Sequence, residues 1–299
     1  MSANRIILFA AAALLLLPGC SSAPKRPAEI FSARNAASGQ LDLGNASVSK
    51  GDYTNAHLFL QEAWRLSIST DDPAMRIKVR IAEGNAWFNE GNKDKAASSW
   101  EAALKEAEEI KNAALISLSK IYRARGTLVE GSAESGLSVA ERQKRAQDVK
   151  VITETEMKNV AGTPLYAAFA WKVLGLAEKE LGKWDKAEEA IKKAADLHEK
   201  GRYLEDTAYD WYLIASVRSK ASRYSSAKEA LQTALSFDRR AENANGLGMD
   251  WLALGIIEEK AGNITGAAAA YSRSSEIFKS VFLVENAAEA DKRLSELKQ

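Results

Sequence analysis

Three stretches decide the fold: Trp171-Lys172-Val173-Leu174-Gly175, Trp211-Tyr212-Leu213-Ile214-Ala215 and Trp251-Leu252-Ala253-Leu254-Gly255. Their tryptophans stand 40 residues apart, twice in succession. The same residue types then recur in order. After Trp171 come Gly182, Trp184, Ala187, Ile191 and Ala194. After Trp211 come Ser222, Tyr224, Ala227, Leu231 and Ala234, and after Trp251 come Gly262, Ile264, Ala267, Tyr271 and Ser274. Self-similarity at a fixed period of this length marks stacked supersecondary units. Strand signals are absent, since nowhere does alternation of β-branched residues persist.

The register extends toward the N-terminus. Leu43-Gly44, Gly51, Tyr53, Ala56, Leu60 and Ala63 make one unit, and Gly84, Trp87, Gly91, Ala96, Trp100 and Ala103 make the next. In the latter, Arg80 and Glu83 replace the Trp and Leu, so its small residues and its turn carry the match. A degenerate unit lies between the two halves. Leu115, Leu118, Tyr122 and Gly126 mark its first helix, and Gly126 to Ser138 reads as an extended loop. Val139, Ala140, Ala146 and Val149 mark its second helix. Each position has a mechanical reason. Gly175, Ala215 and Gly255 admit close approach of the second helix, and Ala187, Ala227 and Ala267 do so from the facing side. Gly182 and Gly262 serve the turn, where left-handed backbone costs other residues more.

These residues resemble the tetratricopeptide repeat, a helix–turn–helix whose pattern begins W-x-x-L-G. The resemblance implies an all-α, right-handed superhelical solenoid of about six helix-turn-helix repeats spanning 31–282. The repeats fall at about 37–70, 77–110, 112–160 (degenerate), 168–201, 208–241 and 248–281. The ordinary period is about 34 residues, so the extra length is expected in each second helix and its following connection. HEAT and armadillo arrays share the longer period but not these offsets. Leu283, Ala287, Ala290, Leu294 and Leu297 share one helical face, which predicts a C-terminal capping helix over 283–299. Asp72-Pro73 and Thr163-Pro164 predict helix starts, each with a capping side chain before the proline.

The chain opens with Arg5, an apolar run from Ile6 to Leu17, then Leu17-Pro18-Gly19-Cys20. The run is too short to span a bilayer and reads as a secretory signal over 1–19. Leu-Pro-Gly-Cys resembles the lipobox of bacterial lipoproteins. That resemblance implies cleavage before Cys20, a diacylglyceryl thioether on its sulfur and acylation of the new amino end. Several acyl chains anchor stably where one binds marginally. Residues 20–30 form a polar, Pro-containing tether. Ser21, in place of Asp, favours the outer membrane facing the periplasm.

The 41 basic and 40 acidic side chains leave no electrostatic footprint for nucleic acid. One cysteine excludes an internal disulfide. His57 and His198, the only histidines, read as surface or capping residues. No phosphate loop, Gly-x-Ser-x-Gly elbow or HExxH occurs. The pairs Glu108-Glu109, Glu188-Glu189 and Glu258-Glu259 read as solvated faces. The expectation is a protein with no enzyme activity, cofactor or metal.

What remains is the concave face built from first helices. The family's groove positions map onto Asn45, then Asn85, Phe88 and Asn89, then Phe169 and Lys172, then Tyr209 and Tyr212, and Met249. The amides of Asn45 and Asn85 could both donate to and accept from a peptide main chain. Phe169, Tyr209, Tyr212 and Met249 form an apolar strip of the kind that anchors partners. The charge pattern does not reproduce the family's carboxylate clamp. The expected function is a lipid-anchored scaffold holding a protein or extended peptide during envelope-complex assembly. The alternative is an accessory component of a periplasmic solute-uptake system that binds a hydrophobic small ligand or a transporter subunit; a closed pocket would favour the ligand.

Overall fold

A computed structural model describes residues 31–128 and 136–297. The signal segment, Cys20, the tether and part of the expected 126–138 loop lie outside the described residues. The repeats lie in one compact unit, Ala33–Gln299.

Among the described residues every element is an α-helix. They are α1 (Ser32–Ser49), α2 (Tyr53–Ser69), α3 (Pro73–Asn89), α4 (Lys93–Glu109), α5 (Ala113–Gly126), α6 (Val139–Val160), α7 (Pro164–Glu180), α8 (Trp184–Lys200), α9 (Leu204–Lys220), α10 (Tyr224–Ala241), α11 (Ala244–Lys260), α12 (Ile264–Ser280) and α13 (Val284–Glu296). Consecutive helices pair into a helical repeat solenoid. First helices begin at Pro164, Leu204, Ala244 and Val284, which keeps the 40-residue period in the backbone. In the fourth pair both helices have 17 residues. The added length is therefore not confined to the second helix and its connection, as the sequence reading expected. The third pair departs from this, with helices of 14 and 22 residues.

Small residues face large ones across every regular pair. A Cβ on Gly84 would lie 2.3 Å from Trp100 Nε1, and one on Gly175 would lie 2.4 Å from Ile191 Cγ1. On Gly255 it would lie 2.3 Å from Tyr271. Glycine thus lets the helices approach until the bulky side chain fills the space. The alanines Ala56, Ala96, Ala146, Ala187, Ala227 and Ala267 are all fully buried.

The turns follow one design. After α3, Asn92 N–H donates to Trp87 O at 2.8 Å and Gly91 N–H to Phe88 O at 3.1 Å, with Gly91 at φ 95°. These bonds satisfy carbonyls that the helix end would leave open. In the fifth pair Ser222 takes the glycine's place at φ 60°. The turns between pairs put Asp71, Lys111, Arg202, Glu242 and Phe282 in the same left-handed region. Asp72 caps α3 by accepting from Met75 N–H at 3.0 Å. Thr163 makes no side-chain capping bond, contrary to the sequence expectation. There Pro164 starts the helix without help, because its preset φ suits the first helical position.

Ion pairs and a hydrogen bond stitch neighbouring helices together, within pairs and between them. Arg76 meets Glu106 at 2.5 Å and Arg218 meets Glu188 at 2.6 Å. Lys228 meets Glu258 at 3.2 Å, and Glu259 accepts from the Tyr271 hydroxyl at 2.6 Å. Glu188, Glu258 and Glu259 are therefore bridging groups, not the solvated faces expected of them. At the C-terminal end α13 packs on α12 and buries Ala287 and Ala290. Among the described residues no helix is long and apolar enough to cross a membrane.

Candidate functional site

First helices of successive pairs touch one another: α3 meets α5, α5 meets α7, and α9 meets α11. No comparably strong contact joins second helices among the described residues. The first helices therefore line the inner side of the curve, where repeat arrays present their binding surface.

An aromatic run links the first helices α3, α5 and α7 through the buried Trp100 of α4. Phe88 lies 5.7 Å from Trp100, Trp100 lies 6.0 Å from Tyr122, and Tyr122 stacks on Phe169 at 3.8 Å. Arg125 covers the Phe88 ring at 5.1 Å. Farther along, Tyr209 and Tyr212 stack at 5.9 Å, and Tyr209 is 44% exposed. Tyr122 is absent from the expected groove set because it lies in the degenerate repeat, where no tryptophan fixes the register. Its hydroxyl pKa is pushed up to about 12, chiefly by burial.

The expected asparagines separate into different roles. Asn85 Oδ1 accepts from Trp100 Nε1 at 3.2 Å. Asn85 thus braces the aromatic run. Asn89 Nδ2 donates to Asn85 O at 2.8 Å, within the same helix. Asn45 is exposed on α1. Met249 Sδ lies 4.0 Å from Asn286 Nδ2, beside the terminal helix.

Lys172 is the charged centre of the surface. It is 9% exposed, with Asp206 at 3.5 Å, Asp210 at 3.7 Å and the Tyr209 ring 5.4 Å away. Burial opposes its charge, but Asp210 and Asp206 outweigh burial and hold its pKa above the ordinary lysine value. Asp210 is fully buried and meets His198 Nδ1 through Oδ2 at 2.6 Å. Its Oδ1 has no hydrogen-bond partner among the described residues. His198 is itself buried, so the surface or capping role expected for it is corrected. A single histidine in a helical stretch carries no sign of the aspartate that the next repeat brings to it. The His57 ring lies tilted against Trp87 at 3.8 Å, and His57 faces Glu90 at 3.4 Å.

Two surface depressions lie away from this side. One surrounds Trp87 and the turn from Glu90 to Lys95, and the other lies on α2 around Leu58, Trp64 and Ile68. Both are open to solvent. Among the described residues no group of three or more His, Cys, Asp or Glu is arranged to hold a metal ion.

Solved structures share this architecture. A Rap protein complexed with competence and sporulation factor superposes with a TM-score of 0.57 at 14% identity, covering 87% of this chain and 73% of that one. The fold is that of tetratricopeptide-like arrays. The apo form of RapI gives 0.55 at 10% identity, covering 88% and 70%. BtubC (BKLC) from P. vanneervenii gives 0.52 at 18% identity, covering 82% and 92%. No protein-family model and no curated protein matches the chain. At these identities the likeness concerns the fold alone.

Proposed function

We propose that this protein is a lipid-anchored scaffold of the bacterial envelope, holding a protein or extended peptide against the inner face of its repeats. One observation carries the reading: the half-exposed Tyr209–Tyr212 stack beside the Lys172–Asp206 pair, on the lining of the curve. Amphipathic rings of this kind supply large contact area at low entropic cost and recur as binding anchors. The Rap protein of the same fold, solved complexed with a factor, supports the choice of a bound partner over a purely structural rod.

The anchor rests on Leu-Pro-Gly-Cys20, with acylation at Cys20 and residence at the outer membrane facing the periplasm. Affinity purification of the native lipidated protein from its own envelope, followed by mass spectrometry, tests the scaffold. The expected result is a partner retained by wild type and lost by the Tyr209→Ala/Tyr212→Ala variant at unchanged helicity. Identical partner sets from both proteins would refute the groove. Cys20→Ser should move the protein from the detergent-rich to the aqueous phase; no change in partitioning would refute the anchor.

A further inference from the structure

The turn after α1 has partners far along the chain. Asn245 Nδ2 donates to Ser49 O at 2.9 Å, across 196 residues. The Ser49 hydroxyl faces both the Glu205 carboxylate and Ala46 O, and has one hydrogen to share between them. A Cβ on Gly51 would meet Leu283 Cδ2 at 3.3 Å. Glu205 and Asn245 lie in the first turns of α9 and α11, and Leu283 caps α13. All three partners are therefore starts of first helices, in the fifth pair, the sixth pair and the terminal helix. The second, third and fourth pairs are bypassed.

We propose that Ser49–Gly51 is a clasp that fastens the first pair to the starts of α9, α11 and α13, turns the inner face into a bounded channel, and opens to admit an extended polypeptide segment. The nature of the occupant rests on the groove reading given above; the clasp itself does not. Two hydrogen bonds and one side-chain contact hold the junction, whereas neighbouring pairs share continuous apolar packing. Sparse, partly exposed junctions of this kind open before packed ones. A surface bounded along both sides offers no open platform to a folded domain. A segment one chain wide lies along it and reaches Tyr209, Tyr212 and Asp206.

Spin labels introduced as non-natural residues at Lys50 and Glu285 of the full chain read the junction by pulsed dipolar spectroscopy. Wild type should give one short, narrow distance. The Ser49→Ala/Asn245→Ala/Leu283→Ser variant should give a longer, broader distribution at unchanged helicity. A broad distribution in wild type, or the same short distance in the variant, overturns the clasp. A displayed random-peptide library selected on wild type then tests the occupant. Selected peptides should associate with the variant on the order of tenfold faster, because opening no longer precedes binding. The same sequence fixed inside a folded carrier should bind only the variant. Equal association rates in a variant shown to be open overturn the gating role. If no peptide is selected in a Tyr209- and Tyr212-dependent manner, the groove reading fails, while the distance measurement still decides the clasp.

Discussion

Asp238 of α10 and Asp250 of α11 are both buried at the junction between their helices, and the Asp238 carboxylate acts on Asp250 to favour its protonated form. Burial pushes Asp250 up to about 9, with Asp238 adding to it, and burial pushes Asp238 up to about 7. Gly246 makes room for the pair, since a Cβ there would lie 2.2 Å from Asp238 Oδ2. Asn243 Nδ2 also donates to Asp238, at 2.8 Å. Glu205 adds repulsion to Asp238, and Arg239 opposes the rise at Asp250.

This pair predicts a direction for the pH dependence of stability. Both folded values exceed the ordinary aspartate value, so the folded state holds more protons than the unfolded chain between about pH 4 and 9. Stability from the pair is complete at acid pH and is lost as pH rises through about 7 and then about 9. Urea midpoints should fall over this window in wild type. Asp250→Asn removes one of the two titrating carboxyls and should flatten the fall. An unaltered slope in the variant would refute the upward shift of Asp250.

Lys172 holds two carboxylates, one of them fully buried. Lys172→Met should cost about 3 kcal/mol, because removing one partner of a buried pair leaves an uncompensated charge. Adding Asp210→Leu should recover part of that loss. Chemical denaturation of the single and double variants gives the coupling; strictly additive losses would mean that the pair does not interact.

Gly84→Ala should destabilise by about 1–3 kcal/mol through overpacking. The new methyl would collide with the Trp100 indole, which is held by Ile81 O and Asn85 at 3.2 Å each. Fluorescence of the variant should show altered tryptophan packing. A neutral substitution would indicate that α3 and α4 can part without loss.

Ser222→Gly should stabilise by about 0.5–1 kcal/mol, since glycine tolerates the left-handed backbone that serine adopts at φ 60°. The gain is reduced by the extra freedom glycine gives the unfolded chain. Thermal unfolding of the variant beside wild type provides the measurement, and a lowered midpoint would contradict it.

The repeats were legible because each needs a small residue opposite a large one at a constant interval, as Gly175–Ile191 and Gly255–Tyr271 show. The placement of candidate groove residues on first helices was legible only where the register was strong. Phe169, Lys172, Tyr209 and Tyr212 lie along the inner side, while Tyr122 in the degenerate repeat was missed. The partnership of His198 with Asp210 depends on how one pair docks on the next, which a period does not specify. The bond from Asn245 to Ser49 is still less visible, for it joins two small polar residues by the accumulated rotation of every pair between them.

An array that touches its own beginning carries a count. Inserting or deleting one module would leave every local junction intact yet bring a different helix start opposite Ser49. The number of modules is thus a quantised property of this architecture, checked by the meeting of its two ends and not by the stability of any single unit.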